Sequence, residues 1–275
     1  MKQMNARDHL FMFTSKGNLI YRPIFEIADV RWKDTGEHIS QTIGLDNDEE
    51  IIGTFAFSSL KEKGLFLIAT DDGHIKRTKL TDLAPGRTYK KHAYMYEKLK
   101  DPKSRIVAID YLADPDASGK LLLISKLGLA LRYGIDEVPI NGARTTGVKS
   151  QNLADGDVIT NLQLVNDDDV IAIVTQRGAF KKLAVKEIPA TSRARKGVMI
   201  LRELKQNSHR VVDFTVINNE DTPLEVLTDH QRVHDILPNE FSLGGRYSNG
   251  SFVIDVESEG TPVKIRRKPI ELTIN

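Results

Sequence analysis

Short apolar runs followed by polar turns recur along the whole chain. After each turn comes a second run that is basic and half apolar. The apolar runs are Leu10 to Phe13, Leu65 to Ile68, Leu121 to Ile124, Val170 to Val174 and Leu224 to Leu227. Runs of this length that are bounded by turn signals favour strands buried on both faces over amphipathic helices. The pattern therefore predicts five β-hairpins.

The hairpin turns form a regular lattice. Turn positions 17, 73, 128, 178 and 231 are separated by 56, 55, 50 and 53 residues, and the first four are glycines, which suit a tight turn with positive φ. Nineteen residues after the turn, four of the five units carry another glycine: Gly36, Gly147, Gly197 and Gly250. The exceptions are His92 in the second unit and, at the fifth hairpin turn itself, Gln231. A fixed period of this kind indicates an internal repeat.

Further strands are predicted between the hairpins, beginning near Glu50, Arg105, Val158 and Arg210. Each unit then contains about four strands and no amphipathic helix. Four-stranded units of this period predict an all-β, propeller-like arrangement of about five blades, with helix limited to short turns. We expect one domain over residues 1–275, with repeats near 6–60, 61–115, 116–165, 166–217 and 218–275.

Composition narrows the class of protein. Hydrophobic residues make up 40% of the 275 residues and charged residues 28%, which is typical of a soluble globular protein. The longest uninterrupted apolar run has five residues, so we expect no membrane span and no secretory signal, and a cytoplasmic location. The absence of cysteine excludes disulfides, thiolate zinc sites and cysteine nucleophiles.

Charge is segregated although the net charge is only +1. Residues 74–105 contain ten Lys or Arg against three acids, and residues 176–210 contain ten against two. These 67 residues carry +15, which leaves −14 for the other 208. Two strongly basic segments in one chain indicate a polyanionic partner.

Basic residues follow the hairpin turns at a similar offset in most units. Because a repeat places equivalent positions on equivalent faces, we expect these side chains along one rim that can follow a phosphate backbone. The alternative is that they are solubilising residues on an outer strand. The candidate phosphate-binding residues are Arg22, Lys76, Arg77, Lys79, Arg87, Lys90, Lys91, Lys126, Arg132, Lys149, Arg177, Lys181, Lys182, Arg193, Arg195 and Lys196.

Catalytic chemistry has few candidates in this sequence. Tyr89, Tyr94 and Tyr96 lie in the first basic segment and could stack on sugars or bases, but packing between strands is the favoured interpretation. His230 and His234 are the only histidines with a spacing that metal ligands use, and a structural role is favoured for them as well. No phosphate-binding glycine loop occurs. We therefore expect no catalytic residue, no metal and no cofactor.

Several longer strings, in their order along the chain, resemble a known family. They are Tyr21-Arg22-Pro23, Val30-Arg31-Trp32-Lys33, Gly36 to Gln41, Arg87-Thr88-Tyr89, Ala190 to Gly197 and Arg246 to Phe252. The family is the C-terminal domain of the A subunits of bacterial type IIA topoisomerases, and the resemblance covers essentially the whole chain. Gyrase A subunits carry a box rich in glutamine, arginine and paired glycine. Its nearest match here, Leu243-Gly244-Gly245-Arg246, is poor, which favours the topoisomerase IV branch.

The resemblance implies a β-pinwheel that binds duplex DNA without sequence specificity, and bends or wraps it. Such a module would present DNA segments to a catalytic core for decatenation and supercoil relaxation, without being an enzyme itself. The implied partners are duplex DNA, the rest of the A subunit and, in the holoenzyme, the B subunit. The chain itself would be a monomeric fragment of the A subunit, located in the cytoplasm with the nucleoid. A propeller serving as a protein-interaction platform is the alternative. The family often has six repeats, so we also expect that the chain begins after a first blade.

Overall fold

The computed structural model describes residues 4–31 and 33–268, so residues 1–3, Trp32 and residues 269–275 lie outside it. The described residues are almost entirely strands and turns, with helix restricted to α1 (Ile39–Ile43), α2 (Val256–Glu259) and single 3-10 turns. The strands are β1 (His9–Thr14), β2 (Asn18–Pro23), β3 (Ile51–Phe57), β4 (Leu65–Thr70), β5 (His74–Lys79), β6 (Tyr94–Met95), β7 (Ile106–Leu112), β8 (Lys120–Ser125), β9 (Leu129–Gly134), β10 (Val148–Lys149), β11 (Ile159–Val165), β12 (Val170–Thr175), β13 (Ala179–Ala184), β14 (Val198–Met199), β15 (Val211–Ile217), β16 (Leu224–Thr228), β17 (Val233–Ile236), β18 (Ser251–Phe252) and β19 (Pro262–Arg267).

These strands form five small sheets, one for each predicted repeat. The sheet orders are β3-β1-β2-β6, β10-β5-β4-β7, β11-β8-β9-β14, β15-β12-β13-β18 and β17-β16-β19. The all-β, five-blade prediction is confirmed. One feature was not predicted: the short fourth strand of each of the first four blades comes from the repeat that follows. The fifth blade has three strands within the described residues.

The hairpins form where the apolar runs predicted them. In the fourth blade, β12 pairs antiparallel with β13 in a register that places Val174 opposite Phe180. All six residues of β4 are buried, as expected for a strand covered on both faces. The turn glycines have positive φ, for example +75° at Gly178. Gln231 takes the same left-handed conformation, with φ +58°, so the fifth turn keeps its geometry without a glycine.

A segment that we call the arm joins the second hairpin strand of each repeat to its outer strand. Arms 1 to 5 are residues 24–50, 80–105, 135–158, 185–210 and 237–261. Arms 2 to 5 each contain the short strand that pairs with the preceding blade. The second glycine of the repeat allows this pairing. A Cβ would lie 2.5 Å from the carbonyl oxygen of Ala130 at Gly197, and 2.1 Å from that of Phe180 at Gly250.

The chain divides into two compact units. Unit 1 contains the residues up to Ala117 together with Val138–Val148, and unit 2 contains Ser118–Glu137 and the residues from Lys149 onward. Unit 1 has an aromatic core, in which the rings of Phe13 and Phe66 lie 4.7 Å apart between centroids. The two core clusters of unit 2 are mainly aliphatic. Whether the units act as one domain stays a prediction.

Candidate nucleic-acid interface

Five of the sequence-predicted cations are buried, which corrects the prediction of a basic rim on the hairpin strands. The exposed fractions are 8% for Arg22, 0% for Lys76, 5% for Arg132, 2% for Lys181 and 3% for Lys182. A cation enclosed to this extent cannot reach the phosphate of a ligand outside the protein. The regular offset after the hairpin turn therefore marks a structural position of the repeat.

Most of the cations on the second hairpin strands bind backbone carbonyls of the arms. Arg22 donates from Nη1 to the carbonyl of Tyr89 at 3.0 Å, and from Nη2 to that of Lys90 at 3.3 Å. Lys182 donates to the carbonyl of Pro238 at 3.0 Å. Arg77 is half buried and donates from Nε to the carbonyl of Val138 at 2.8 Å. Since a buried charge is tolerated only when it is paired or hydrogen-bonded, these bonds explain why cations occur inside the blades.

Two of these buried cations also reach the loop that joins one repeat to the next. Arg132 pairs with Asp167 at 2.6 Å, in the loop between β11 and β12. Lys182 pairs with Glu220 at 2.7 Å, in the equivalent loop between β15 and β16. Arg132 and Lys182 occupy the same position of the repeat, four residues after the hairpin glycine. The repetition of the ion pair supports a structural role.

Lys76 lies at the centre of a buried polar cluster in unit 1. Its ammonium group lies 2.8 Å from the carboxylate of Glu97 and donates to the carbonyl of Tyr96 at 2.9 Å. Burial lowers the pKa of Lys76 and raises the pKa of Glu97 to about 7, while the charge of each partner opposes the shift of the other. Lys181 has carbonyls as hydrogen-bond partners, and burial lowers its pKa to about 8.

The remaining predicted cations are accessible. The exposed ones are Lys79, Arg87, Lys90, Lys91, Lys126, Lys149, Arg195 and Lys196, and the half-buried ones are Arg77, Arg177 and Arg193. Arg177 stacks on the ring of Phe252, 5.3 Å from its centroid, and Arg193 donates to the carbonyl of Lys149. Most of the exposed cations lie on the arms. The structure therefore moves the candidate surface from the strands to the arms.

Each of arms 2 to 5 presents an arginine at a tight turn, which we call the tip. In arm 2 the turn closes with a 3.3 Å hydrogen bond from the amide of Tyr89 to the carbonyl of Gly86, and in arm 5 with a 3.2 Å bond from Ser248 to Gly245. The tip arginines are Arg87, Arg144, Arg193 and Arg246. They follow the hairpin turn positions by 14 to 16 residues, so the repeat lattice contains the signal for Arg144 and Arg246, which were not predicted as binding residues.

Positive charge is concentrated on one arm of each unit. Arm 2, in unit 1, has seven Lys or Arg against three acids, and arm 4, in unit 2, has seven against two. Exposed cations of these arms that were not among the predicted binding residues are Lys98, Lys100, Lys103, Lys186, Arg202 and Lys205. Because these side chains are exposed and outnumber the acids, the two arms can attract a polyanion.

The tyrosines of arm 2 pack inside unit 1, which confirms the interpretation favoured from the sequence. Tyr94 donates to the carbonyl of Leu83 at 2.7 Å, and the buried ring of Tyr96 lies 4.9 Å from that of Phe13. Tyr89 packs edge-on against Tyr21 at 5.0 Å. Among the described residues, no group of three or more His, Asp or Glu side chains is placed to hold a metal ion. No helix in the described ranges has the length and apolar character needed to cross a membrane.

Comparison with known proteins places these features in a family. The family described as DNA gyrase C-terminal domain, beta-propeller, matches residues 8–58, 65–89, 119–166 and 169–218. The A subunit of DNA topoisomerase 4 from Streptococcus pyogenes serotype M1 is 41% identical over 278 residues, which cover 94% of this chain and 33% of that protein. The corresponding protein of Bacillus subtilis is 34% identical over 96% of this chain and 32% of its own length. The chain thus spans about one third of the length of these relatives.

A solved structure agrees with both the sequence match and the fold. The crystal structure of the C-terminal domain of DNA topoisomerase IV matches with a TM-score of 0.88 and 37% sequence identity, over 96% of this chain and 80% of that one. Family match, identity and fold lead to the same assignment. The chain belongs to the family of C-terminal β-propeller domains that the A subunits of DNA gyrase and topoisomerase IV share.

Proposed function

We propose that this chain is a duplex DNA-binding module that contacts phosphates through its arms, without sequence specificity. The proposal rests on the different burial of two groups of cations. Five cations on the hairpin strands are buried and bound within the protein, whereas most of those on arms 2 and 4 are exposed and outnumber the acids. Lysine and arginine that contact only phosphates supply affinity and orientation but carry no sequence information.

The names of the relatives extend the proposal to the whole protein. Topoisomerases act on DNA, and the relatives are about three times as long as this chain. We infer that the chain bends or wraps duplex DNA and presents it to a catalytic core, formed by the rest of the A subunit together with the B subunit, which would carry out decatenation and relaxation. The chain itself would be non-catalytic, would need no cofactor and would remain in the cytoplasm with the nucleoid.

The test is a titration of the 275-residue chain with 30-base-pair duplexes of unrelated sequence over a range of salt concentrations. With on the order of six phosphate contacts, log affinity should fall against log salt with a slope near −5. A triple variant with Lys91→Gln, Arg195→Gln and Lys196→Gln removes three exposed arm cations and should flatten the slope by about 3. All duplexes should be affected alike.

The matched control removes three exposed cations outside the arms, with Lys61→Gln, Lys63→Gln and Lys264→Gln. Its net charge change equals that of the arm variant, so any difference between the two reports position and not total charge. We expect the control to keep the slope of the unmodified chain. If both triple variants lose affinity and slope equally, or if the unmodified chain does not bind duplex DNA, the proposed interface is wrong.

A further inference from the structure

The buried Lys76 joins three segments of unit 1. Its ammonium group extends from β5 and meets arm 2 at the carbonyl of Tyr96 and the carboxylate of Glu97. It also meets the tip of arm 3, at the carbonyls of Thr145, 2.9 Å away, and Gly142, 3.3 Å away. One side chain with no exposed surface therefore binds two arms at once.

The tip of arm 3 is shaped by these bonds. Its turn runs from Gly142 to Thr145, and the Thr145 hydroxyl donates to the carbonyl of Gly142 at 2.7 Å. Arg144 lies in the turn with φ +62°, a left-handed conformation that is costly for a residue other than glycine. Because the carbonyls of the turn face Lys76, the exposed Arg144 lies on the surface of the tip. The tip thus combines a strained backbone at Arg144 with an arginine side chain that faces solvent.

Arm 2 is fixed beside this tip. The amide of Lys98 donates to the carbonyl of Thr145 at 3.3 Å, and the hydroxyl of Thr146 donates to the carbonyl of Lys98 at 2.7 Å. The exposed side chain of Lys98 therefore starts next to the arm 3 tip. Two exposed cations, Arg144 and Lys98, are thus held in one small region that depends on the Lys76 ammonium group.

Two other repeats pack without a lysine at this position, so packing does not explain its presence. Three residues after the hairpin glycine, the first and third repeats have the buried apolar residues Ile20 and Leu131. The fourth repeat has Lys181, which donates to carbonyls of the arm 5 tip, those of Arg246 at 2.9 Å and Ser248 at 2.8 Å. A lysine at this position thus recurs together with a tip whose carbonyls face inward.

We propose that Lys76 is a positioning residue for DNA binding, which holds the arm 3 tip so that Arg144 and Lys98 contact neighbouring phosphates. This inference rests on the proposed function. The Lys76 ammonium group is the donor that joins the carbonyls of Gly142 and Thr145 to β5. Without it, these carbonyls keep only the Thr145 hydroxyl and the Lys98 amide as donors, neither of which reaches β5, so the strained turn at Arg144 can relax. A rearranged turn would carry Arg144 away from its contact.

The decisive variant combines Lys76→Leu with Glu97→Leu. Replacing both partners of a buried pair by apolar residues leaves no uncompensated charge, so the blade should still fold, with a loss of stability limited to the hydrogen bonds that Lys76 donated. The carbonyls of Gly142 and Thr145 lose their link to β5 all the same, because their remaining donors are the Thr145 hydroxyl and the Lys98 amide. We expect faster amide exchange over residues 142–148, and about fivefold to tenfold weaker duplex binding at 0.1 M salt, the loss of about one phosphate contact.

A double-mutant cycle separates positioning from general destabilisation. Arg144→Gln should weaken binding about fivefold to tenfold in the unmodified chain and less than about twofold in the double leucine variant. Additive losses, or unchanged exchange at the tip, would overturn the proposal. Lys63→Leu is the control, since it removes an exposed lysine outside the arms.

Two further outcomes are separable. If the unmodified chain does not bind DNA, the proposed function fails, while the exchange measurement still decides whether Lys76 holds the tip. If the double leucine variant does not fold, Lys181→Met gives the same test in unit 2, because the hydrogen-bond partners of Lys181 are carbonyls. It should speed exchange over residues 245–250, and unchanged exchange there would count against the role of the buried lysine.

Discussion

At the residue scale, the repeat keeps its backbone geometry even where its sequence departs from the pattern. Gln231 stands where four other hairpins have glycine, and it adopts φ +58°. The amide of Gln231 still donates to the carbonyl of Thr228 at 2.9 Å, as the amide of Gly178 does to that of Thr175. The turn therefore forms because the flanking strands pair, and the glutamine bears the steric cost of the left-handed conformation.

We predict that Gln231→Gly stabilises the chain by about 1 kcal/mol, because relief of the left-handed strain exceeds the extra entropy of glycine in the unfolded state. Urea unfolding measures the change. The reciprocal control is Gly178→Gln, where a Cβ would lie 2.1 Å from the carbonyl of Ile254, so a large loss is expected. A stability loss in the Gln231→Gly variant would mean that the glutamine side chain contributes more than its backbone costs.

A buried carboxyl gives a second prediction, on pH. Asp213 lies in β15 with 6% of its surface exposed and accepts from Asn161 at 2.7 Å and from the amide of Ile265 at 3.1 Å. Burial raises its pKa to about 6, although these donors oppose the shift. Since the folded state then holds the proton at a higher pH than the unfolded chain does, the contribution of this group to stability is present at pH 4 and is lost as pH rises through 6.

The expected size of this loss is about 3 kcal/mol, because the carboxyl loses its proton at a higher pH in the folded chain than in the unfolded one. It is measured as the difference in unfolding free energy between the unmodified chain and Asp213→Asn, at intervals between pH 4 and pH 7. As pH rises, the free energy of unfolding of the unmodified chain should fall relative to that of Asp213→Asn. A difference independent of pH would show that the hydrogen-bond donors to Asp213, which include the amide of Phe214 at 2.8 Å, cancel the effect of burial.

At the element scale, the exchanged strands connect each blade to the next repeat. The arm strands are only two residues long, so their pairing depends on how closely the arm can approach the preceding hairpin. In the fourth blade, Ser251 and Phe252 of β18 pair with Phe180 and Ala179 of β13. Gly250 precedes this strand with φ +77°, in contact with the same hairpin. In arms 3 to 5 the second glycine of the repeat therefore serves strand exchange and not a hairpin turn, whereas arm 2 has His92 there and pairs β6 with β2 without it.

We predict that Gly250→Ala destabilises the chain by about 2 kcal/mol or more, because the new Cβ would contact backbone and the left-handed φ would be strained. Amide exchange in β13 should speed up along with the fall in stability. Gly36→Ala is the matched control: Gly36 occupies the same lattice position, lacks positive φ and has no atom within 4 Å of an added Cβ, so a change within about 0.5 kcal/mol is expected. Equal effects of the two substitutions would contradict this interpretation.

At the scale of the whole molecule, the repeat explains both what the sequence predicted and what it did not. Apolar runs and turn glycines specify hairpins locally, so the number and order of the blades could be predicted. Strand exchange could not, because a two-residue strand such as β14 has no periodicity of its own. The inward cations were assigned to the surface because composition does not tell Lys181, whose ammonium group binds carbonyls, from the exposed Lys196.

The division into two units leads to the last prediction. The core cluster around Phe66 is built from unit 1 and that around Phe214 from unit 2, and both rings are fully buried. Truncation of such a ring to alanine typically costs about 3 to 5 kcal/mol. Where cores are separate, the substitution should lower the stability of its own unit only. Cooperative units can open independently, at a free energy below that of global unfolding.

Phe66→Ala should therefore speed amide exchange in β4 and β7 while leaving β12 and β15 close to their unmodified rates, and Phe214→Ala should do the reverse. Native-state hydrogen exchange read strand by strand measures both in one experiment, and each variant serves as the control for the other. If either substitution lowers protection equally in all four strands, the chain unfolds as one cooperative domain, and a packing defect in one unit destabilises the other unit as well.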